Sequence, residues 1–234
     1  MSYVFAPPAV VTVPVVGGGE FPVHRIYCVG RNYADHAVEM GFSGREPPFF
    51  FLKPADAIVA VAEGETGAID YPTLTKNLHH EIELVVAIGK GGRQIAAADA
   101  PGHIFGYAVG LDMTRRDLQN EMKKQGRPWC IGKGFEQSAP IGPVMPIGRG
   151  GQRLKGEIRL EVNGQTRQKG DLSELIWNVN ETIEQLSAAW TLRPGDLIYT
   201  GTPAGVAAVL PGDLMVGSIE GLGSLRVAVR PPAA

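Results

Sequence analysis

The segment His79-His80-Glu81-Ile82-Glu83-Leu84-Val85-Val86 sets two carboxylates one residue apart at the mouth of an apolar run. Side chains of an extended strand alternate faces, so Glu81 and Glu83 project to the same side. Like charges that close need a shared proton, a cationic partner or a divalent metal. An isolated Glu-x-Glu more often decorates a solvated strand edge; here the apolar run draws the pair toward the core. A third acid, Asp112, ends the buried-looking run from Ile104 to Leu111, where a lone carboxylate is costly. Three oxygen donors suit a hard cation, and Mg²⁺ would keep positions open for water or a chelating substrate. His79 and His80 lack the His-Glu-x-x-His spacing of a helical zinc site and read as turn or packing residues.

Cationic and polar groups follow. The charged stretch from Thr114 to Gln125 reads as an amphipathic helix stopped by Gly126, with Thr114 and Asp117 as a variant capping box. Its Arg116, Gln119 and Lys123 share one stripe at i, i+3 and i+7, suited to an anionic ligand or to plain solvation. Lys133 lies between Gly132 and Gly134, whose bareness lets backbone approach a ligand. Neither a Gly-x-x-x-x-Gly-Lys-Ser/Thr loop nor a strand-to-helix Gly-x-Gly-x-x-Gly is present. His36 and Glu39 are three apart on a short helix read from Asn32 to Gly41, where the carboxylate orients the imidazole or forms a surface pair. The hydroxyls of Thr200-Gly201-Thr202-Pro203 bind an oxyanion or make a turn.

These groups must be positioned mostly by strands. Arg25–Gly30, Phe49–Leu52, Ala57–Val61, Ile82–Ile88 and Ile104–Met113 read as β, and Asn163-Gly164 joins a hairpin through a type I′ turn. Ser173 to Trp190 reads as the longest helix, with one broad apolar stripe. The expectation is an α+β fold dominated by a mixed or antiparallel sheet: one catalytic domain over 23–234, preceded by an extended arm over 1–22 with Gly17–Gly19 as a flexible joint. The 234 residues suffice for a sizeable core. With 22 Lys and Arg against 24 Asp and Glu, no basic excess favours nucleic acid. Two cysteines outside any Cys-x-x-Cys pair, no basic start to the proline-broken N-terminal stretch and no membrane-spanning apolar run point to a soluble, cytoplasmic protein.

Taken together, Cys28-Val29-Gly30-Arg31-Asn32-Tyr33-Ala34-Asp35-His36, Phe51-Leu52-Lys53-Pro54, His80-Glu81-Ile82-Glu83-Leu84, Leu111-Asp112-Met113-Thr114-Arg115-Arg116-Asp117, Gly132-Lys133-Gly134-Phe135 and Thr200-Gly201-Thr202-Pro203 resemble the fumarylacetoacetate hydrolase family. Within it, the likeness is to acylpyruvases and to the bacterial members that cleave fumarylpyruvate. The resemblance implies a mixed β-roll of the family's C-terminal domain type with a few peripheral helices, a homodimer, and Mg²⁺ or Mn²⁺ on Glu81, Glu83 and Asp112. It implies that His36 and Glu39 activate a water, that Lys133 acts in catalysis, and that Arg116, Gln119 and Thr202 contact substrate. The expected reaction is hydrolysis of a carbon-carbon bond in a 2,4-dioxo acid, with fumarylpyruvate giving fumarate and pyruvate in aromatic degradation through gentisate. Arg31 and Arg45, on either side of the His36 helix, are candidates for the distal carboxylate. Competing expectations are a general acylpyruvase, an oxaloacetate decarboxylase, a hydroxyheptadienedioate isomerase, or a metal-dependent binding protein without turnover.

Overall fold

A computed structural model describes residues 3–33 and 45–233. In chain order its central sheet contains β1 (Ile26–Gly30), β2 (Phe49–Lys53), β3 (Ile58–Ala60), β4 (Ile82–Ile88), β5 (Ile104–Leu111), β6 (Ala139–Ile141) and β7 (Leu197–Tyr199). Across the sheet the order is β2-β1-β7-β4-β5-β6-β3, with Met145–Pro146 pairing β5 off this path. The β7–β1 and β6–β3 pairs are parallel and the others antiparallel, so the sheet is mixed. All seven residues of β4 are buried, because both faces of the strand are covered. Leu84, Val86 and Ile88 enter one apolar cluster, while Val85 and Ala87 enter a second on the opposite face.

The first cluster is closed by a five-stranded sheet in the order Gln165–Asp171, Glu157–Val162, Leu214–Ile219, Gly223–Arg230, Thr66–Asp70. Ile158, Leu160, Met215 and Val227 of that sheet face Leu84, Val109 and Leu111. A three-stranded sheet, Thr114–Arg115, Leu78–His80 and Ala207–Ala208, borders the site. Four α-helices occur among the described residues: α1 (Arg116–Lys124), α2 (Cys130–Lys133), α3 (Ile147–Gly150) and α4 (Val179–Ala189). None is long and apolar enough to cross a membrane.

Strand expectations agree closely, including Asn163 and Gly164 at φ 52 and 77 in the hairpin turn. Three local expectations give way. The helix expected from Ser173 is a 3₁₀ turn at Leu172–Glu174 followed by α4. Asn32 holds the intervening chain: its carbonyl accepts from Ile176 N–H (2.8 Å) and its side chain from Trp177 N–H (2.7 Å). Asn178 then caps α4 by accepting from the Asn180 and Glu181 N–H groups. The Thr114/Asp117 cap is also absent, because Thr114–Arg115 is a strand and the Asp117 carboxylate accepts from Thr75 Oγ1 (2.6 Å) and Lys76 N–H (3.1 Å). Finally, Gly17–Gly19, all at positive φ, turn a hairpin between Thr12–Pro14 and Glu20–Pro22. Its Val13 and Phe21 are buried in the second cluster, so this stretch packs on the sheet.

Candidate active site

Glu81 occupies the break between the Leu78–His80 strand and β4, and its carbonyl accepts from Asp112 N–H at 2.8 Å. That bond brings the two strand ends together. Ligand oxygens of Glu81, Glu83 and Asp112 all lie within 4.8 Å of one another, with the three residues buried. Three cations answer them. Lys133 Nζ lies 2.7 Å from Glu81 Oε2 and 2.6 Å from Asp112 Oδ2. Lys53 Nζ lies 2.8 Å from Asp112 Oδ1 and donates to the carbonyls of Met113 (3.1 Å) and Lys133. Arg116 Nη2 pairs with Glu81 Oε1. Counted formally, three carboxylates balance three cations within a nearly dry site.

Glu83 is the exception within this balance. Among the described residues it makes no ion pair; its Oε2 accepts from Gly201 N–H at 2.7 Å. Burial first, and then the charges of Asp112 and Glu81, push its carboxyl well above the usual carboxylate range. A divalent cation among these oxygens supplies the counter-charge that Glu83 lacks, so the residues present fit such an ion. Burial opposes the charge on Lys133, but Asp112 and Glu81 outweigh it and raise its pKa, keeping the ammonium charged.

Helix α1 brings Arg116 and Gln119 to the same cavity, 2.5 Å apart from Nη1 to Oε1. A Cβ on Gly132 would lie 2.9 to 3.0 Å from the N, Cα and Cβ of Gln119. The bareness of Gly132 therefore serves the approach of α2 to α1, where the sequence suggested approach to a ligand. Thr202 and Arg31 also line the cavity, Arg31 with a left-handed φ of 56. Thr200 Oγ1 is engaged with Leu84 O at 2.9 Å, and of the two threonines in this loop Thr202 is the one that lines the cavity. Arg45 is elsewhere, 2.6 Å from Glu181 and stacked 4.0 Å over Trp177. His36 and Glu39 lie outside the described residues.

Three supporting groups were not singled out from residue spacing. Lys53 carried a weak signal, a single cation closing the apolar run Phe49–Leu52. Gly201 reaches φ +99, where a Cβ would meet Asn32 Cβ at 2.7 Å, so only glycine presents this N–H to Glu83 without strain. Gln168 carried no signal in its polar hairpin strand, yet it is buried. Its Oε1 accepts from Ile82 N–H (3.1 Å) and meets His80 Nδ1 (2.8 Å), while its Nε2 donates to Thr202 Oγ1 and Pro203 O, both at 2.8 Å. His80 is thus a packing residue. His79 contacts Asn77 and Arg116, and burial, followed by the Arg116 charge, lowers its pKa to about 4.

The family profile Fumarylacetoacetate (FAA) hydrolase C-terminal matches residues 25–230. The chain belongs to the fumarylacetoacetate hydrolase family. A fumarylpyruvate hydrolase of Ralstonia sp is 46% identical over 187 residues, spanning 80% of this chain and 94% of the relative. The mitochondrial oxaloacetate tautomerase of Homo sapiens is 42% identical over 207 residues, 88% of this chain and 92% of that one. The crystal structure of fumarylpyruvate hydrolase from Pseudomonas aeruginosa, in complex with Mn²⁺ and pyruvate, superposes with a TM-score of 0.97 at 56% identity, covering 98% of this chain and 100% of the other. The β-dominated architecture is that of the family's C-terminal domain, and its acidic triad is a group able to hold a divalent metal.

Proposed function

We propose that this member of the family hydrolyses 2,4-dioxo acids in a divalent-metal-dependent reaction, cleaving fumarylpyruvate to fumarate and pyruvate as a step of aromatic degradation through gentisate, and that it works as a homodimer. The observation that carries this reading is the buried, formally neutral set of Glu81, Glu83 and Asp112 with Lys53, Lys133 and Arg116. A divalent ion added there leaves two positive charges in a low-dielectric cavity, which matches a dianionic diacid. The Ralstonia and Pseudomonas relatives support the same substrate.

When bound, the metal supplies Lewis-acid polarisation of the substrate's 2-oxo end. Lys133, held charged, then donates to the oxygen that gains negative charge, and Arg116, Gln119 and Thr202 orient the acid. His36, assigned with Glu39 from the sequence motif, takes a proton from water. The water oxygen bonds to C4, the C3–C4 bond breaks, and its electron pair passes to the enolate of pyruvate, which gains a proton at C3. Fumarate leaves with the water oxygen.

A second reading takes oxaloacetate as the substrate: tautomerisation is favoured by the human relative and decarboxylation by the oxaloacetate decarboxylase of Dictyostelium discoideum. Pyruvate release from fumarylpyruvate, acetylpyruvate and oxaloacetate, read together with the decay of the oxaloacetate enol, with Mg²⁺, Mn²⁺ or EDTA, separates them. Highest kcat/KM on fumarylpyruvate, abolished by EDTA, is expected, with His36→Ala slowed about 10²-fold or more. No release from either acylpyruvate, with rapid conversion of oxaloacetate, would establish the second reading instead.

A further inference from the structure

The cavity at the carboxylates is small, about 30 Å³, room for an ion and a few small atoms but not for an acyl chain. It shares Arg31, Phe51, Trp129 and Lys133 with a neighbouring cleft of about 520 Å³. The wall of that cleft is aromatic. Trp129 meets Phe49 edge-on, at 5.2 Å between centroids and 88°, and Phe51 at 5.9 Å. Phe51 in turn lies 5.0 Å from Lys133 Nζ, so its ring reaches from the reacting end into the cleft. Gly30 makes room for this wall, since a Cβ there would sit 2.0 Å from Phe49 Cζ. Trp129 directly precedes α2, whose last residue is Lys133, so one short helix carries both the cleft wall and the ammonium. Two guanidinium side chains, Arg31 and Arg127, line the same cleft, with Arg31 5.2 Å from the Phe49 ring.

Resting on the proposed hydrolysis, we infer that this cleft is the acyl subsite and that it selects a flat, conjugated acyl group ending in a carboxylate. A rigid π-system presents its face to Trp129 and Phe51, whereas a saturated chain loses rotational freedom and offers no π-face. The terminal carboxylate meets Arg31 and Arg127, whose planar forks suit it. Arg45 is left to its surface pair with Glu181.

The test compares kcat/KM, with Mg²⁺, for three acids: fumarylpyruvate, its saturated counterpart succinylpyruvate, and acetylpyruvate. Wild type, Trp129→Ala, Trp129→Phe and the exposed Arg127→Gln are assayed, with Mg²⁺ calorimetry and sedimentation on each. The fumaryl-to-succinyl ratio should fall about tenfold in Trp129→Ala, the size of an aromatic contact, and recover in Trp129→Phe. Arg127→Gln should lower both diacids about tenfold relative to acetylpyruvate. Equal losses on all three acids with normal Mg²⁺ binding would overturn the subsite while leaving the hydrolase reading intact. A change of sedimentation in Trp129→Ala would overturn it differently, making the cleft a contact between copies of the chain. A wild type that releases pyruvate from none of the three would overturn the hydrolase reading, and the subsite with it.

Discussion

Replacing Lys53 with methionine tests the charge balance of the site directly. The side chains of Lys53 and Asp112 are 0% and 1% exposed, so water does not screen their 2.8 Å pair. Removing one partner of such a pair leaves a buried, uncompensated charge and costs roughly 3–5 kcal/mol. The Lys133 carbonyl keeps a bond from Ser138 Oγ at 3.1 Å, whereas Met113 O loses the ammonium donor. For a chain of this length the loss corresponds to a fall in Tm of about 6–20 °C. The sign reverses toward metal. With three carboxylates against two cations the apo site carries a formal charge of −1, so a divalent ion should stabilise Lys53→Met more than it stabilises wild type. Thermal denaturation of both proteins in EDTA and in saturating Mg²⁺ gives the two differences. Equal Tm in EDTA, or a smaller Mg²⁺ increment in the variant, would refute the view that Lys53 competes with the ion for the same carboxylate charge.

Calorimetry of Glu83→Ala and Asp112→Ala should show Mg²⁺ binding weakened beyond detection, and wild-type binding in both would remove them as ligands. Gly201→Ala should lose at least about 1–3 kcal/mol of stability from its positive φ and the contact with Asn32, seen as a lowered denaturation midpoint. Gln168→Leu strands Ile82 N–H and frees Thr202, so kcat should fall along with roughly 2 kcal/mol of stability; full activity at wild-type Tm would show the network to be idle. For Asp117, burial raises the pKa, but hydrogen bonds from Thr75 and from the Lys76 and Leu118 N–H groups prevail and hold it below the ordinary 3.8. The folded carboxylate therefore contributes stability above its unfolded pKa, lost as pH falls through the lower folded value. Asp117→Asn should be less stable by about 1 kcal/mol at pH 7, with the gap closing in acid denaturation curves as pH falls below the ordinary 3.8.

The clustering of the acidic triad, and of Arg116 with Gln119 beside it, was legible because each residue obeys a local rule. Glu81 and Glu83 follow strand alternation, Asp112 ends an apolar run, and Arg116 with Gln119 follows the helical repeat. Residues governed by distant partners were not. Asn32 keeps the expected helix from starting before Val179 by holding Trp177, 145 positions away in the chain, and no local period reports that. Arg45 meets a carboxylate 136 positions on. Lys53 and Gln168 were concealed by fold topology: each is valuable for the site it faces, Lys53 from a strand three places from β4 across the central sheet and Gln168 from the five-stranded sheet. The order of strands in the central sheet was similarly hidden, since periodicity fixes faces and not neighbours; the motif resemblance supplied the roll.

That strand order bears on how the protein is made. The central position between β1 and β4 belongs to β7, so Leu197–Tyr199 is the last strand of this sheet to leave the ribosome and one of its innermost. From the synthesis of Ile88 to that of Tyr199, 111 residues later, β1 and β4 each lack a neighbour, an interval on the order of 10 s at ordinary elongation rates. Two apolar strands with open edges invite pairing with other nascent chains. Gly201 follows β7 at once, so the Glu83 carboxylate also waits for its N–H until that insertion. Slowing translation beyond codon 88 should therefore lower soluble yield more than the same delay placed after codon 201.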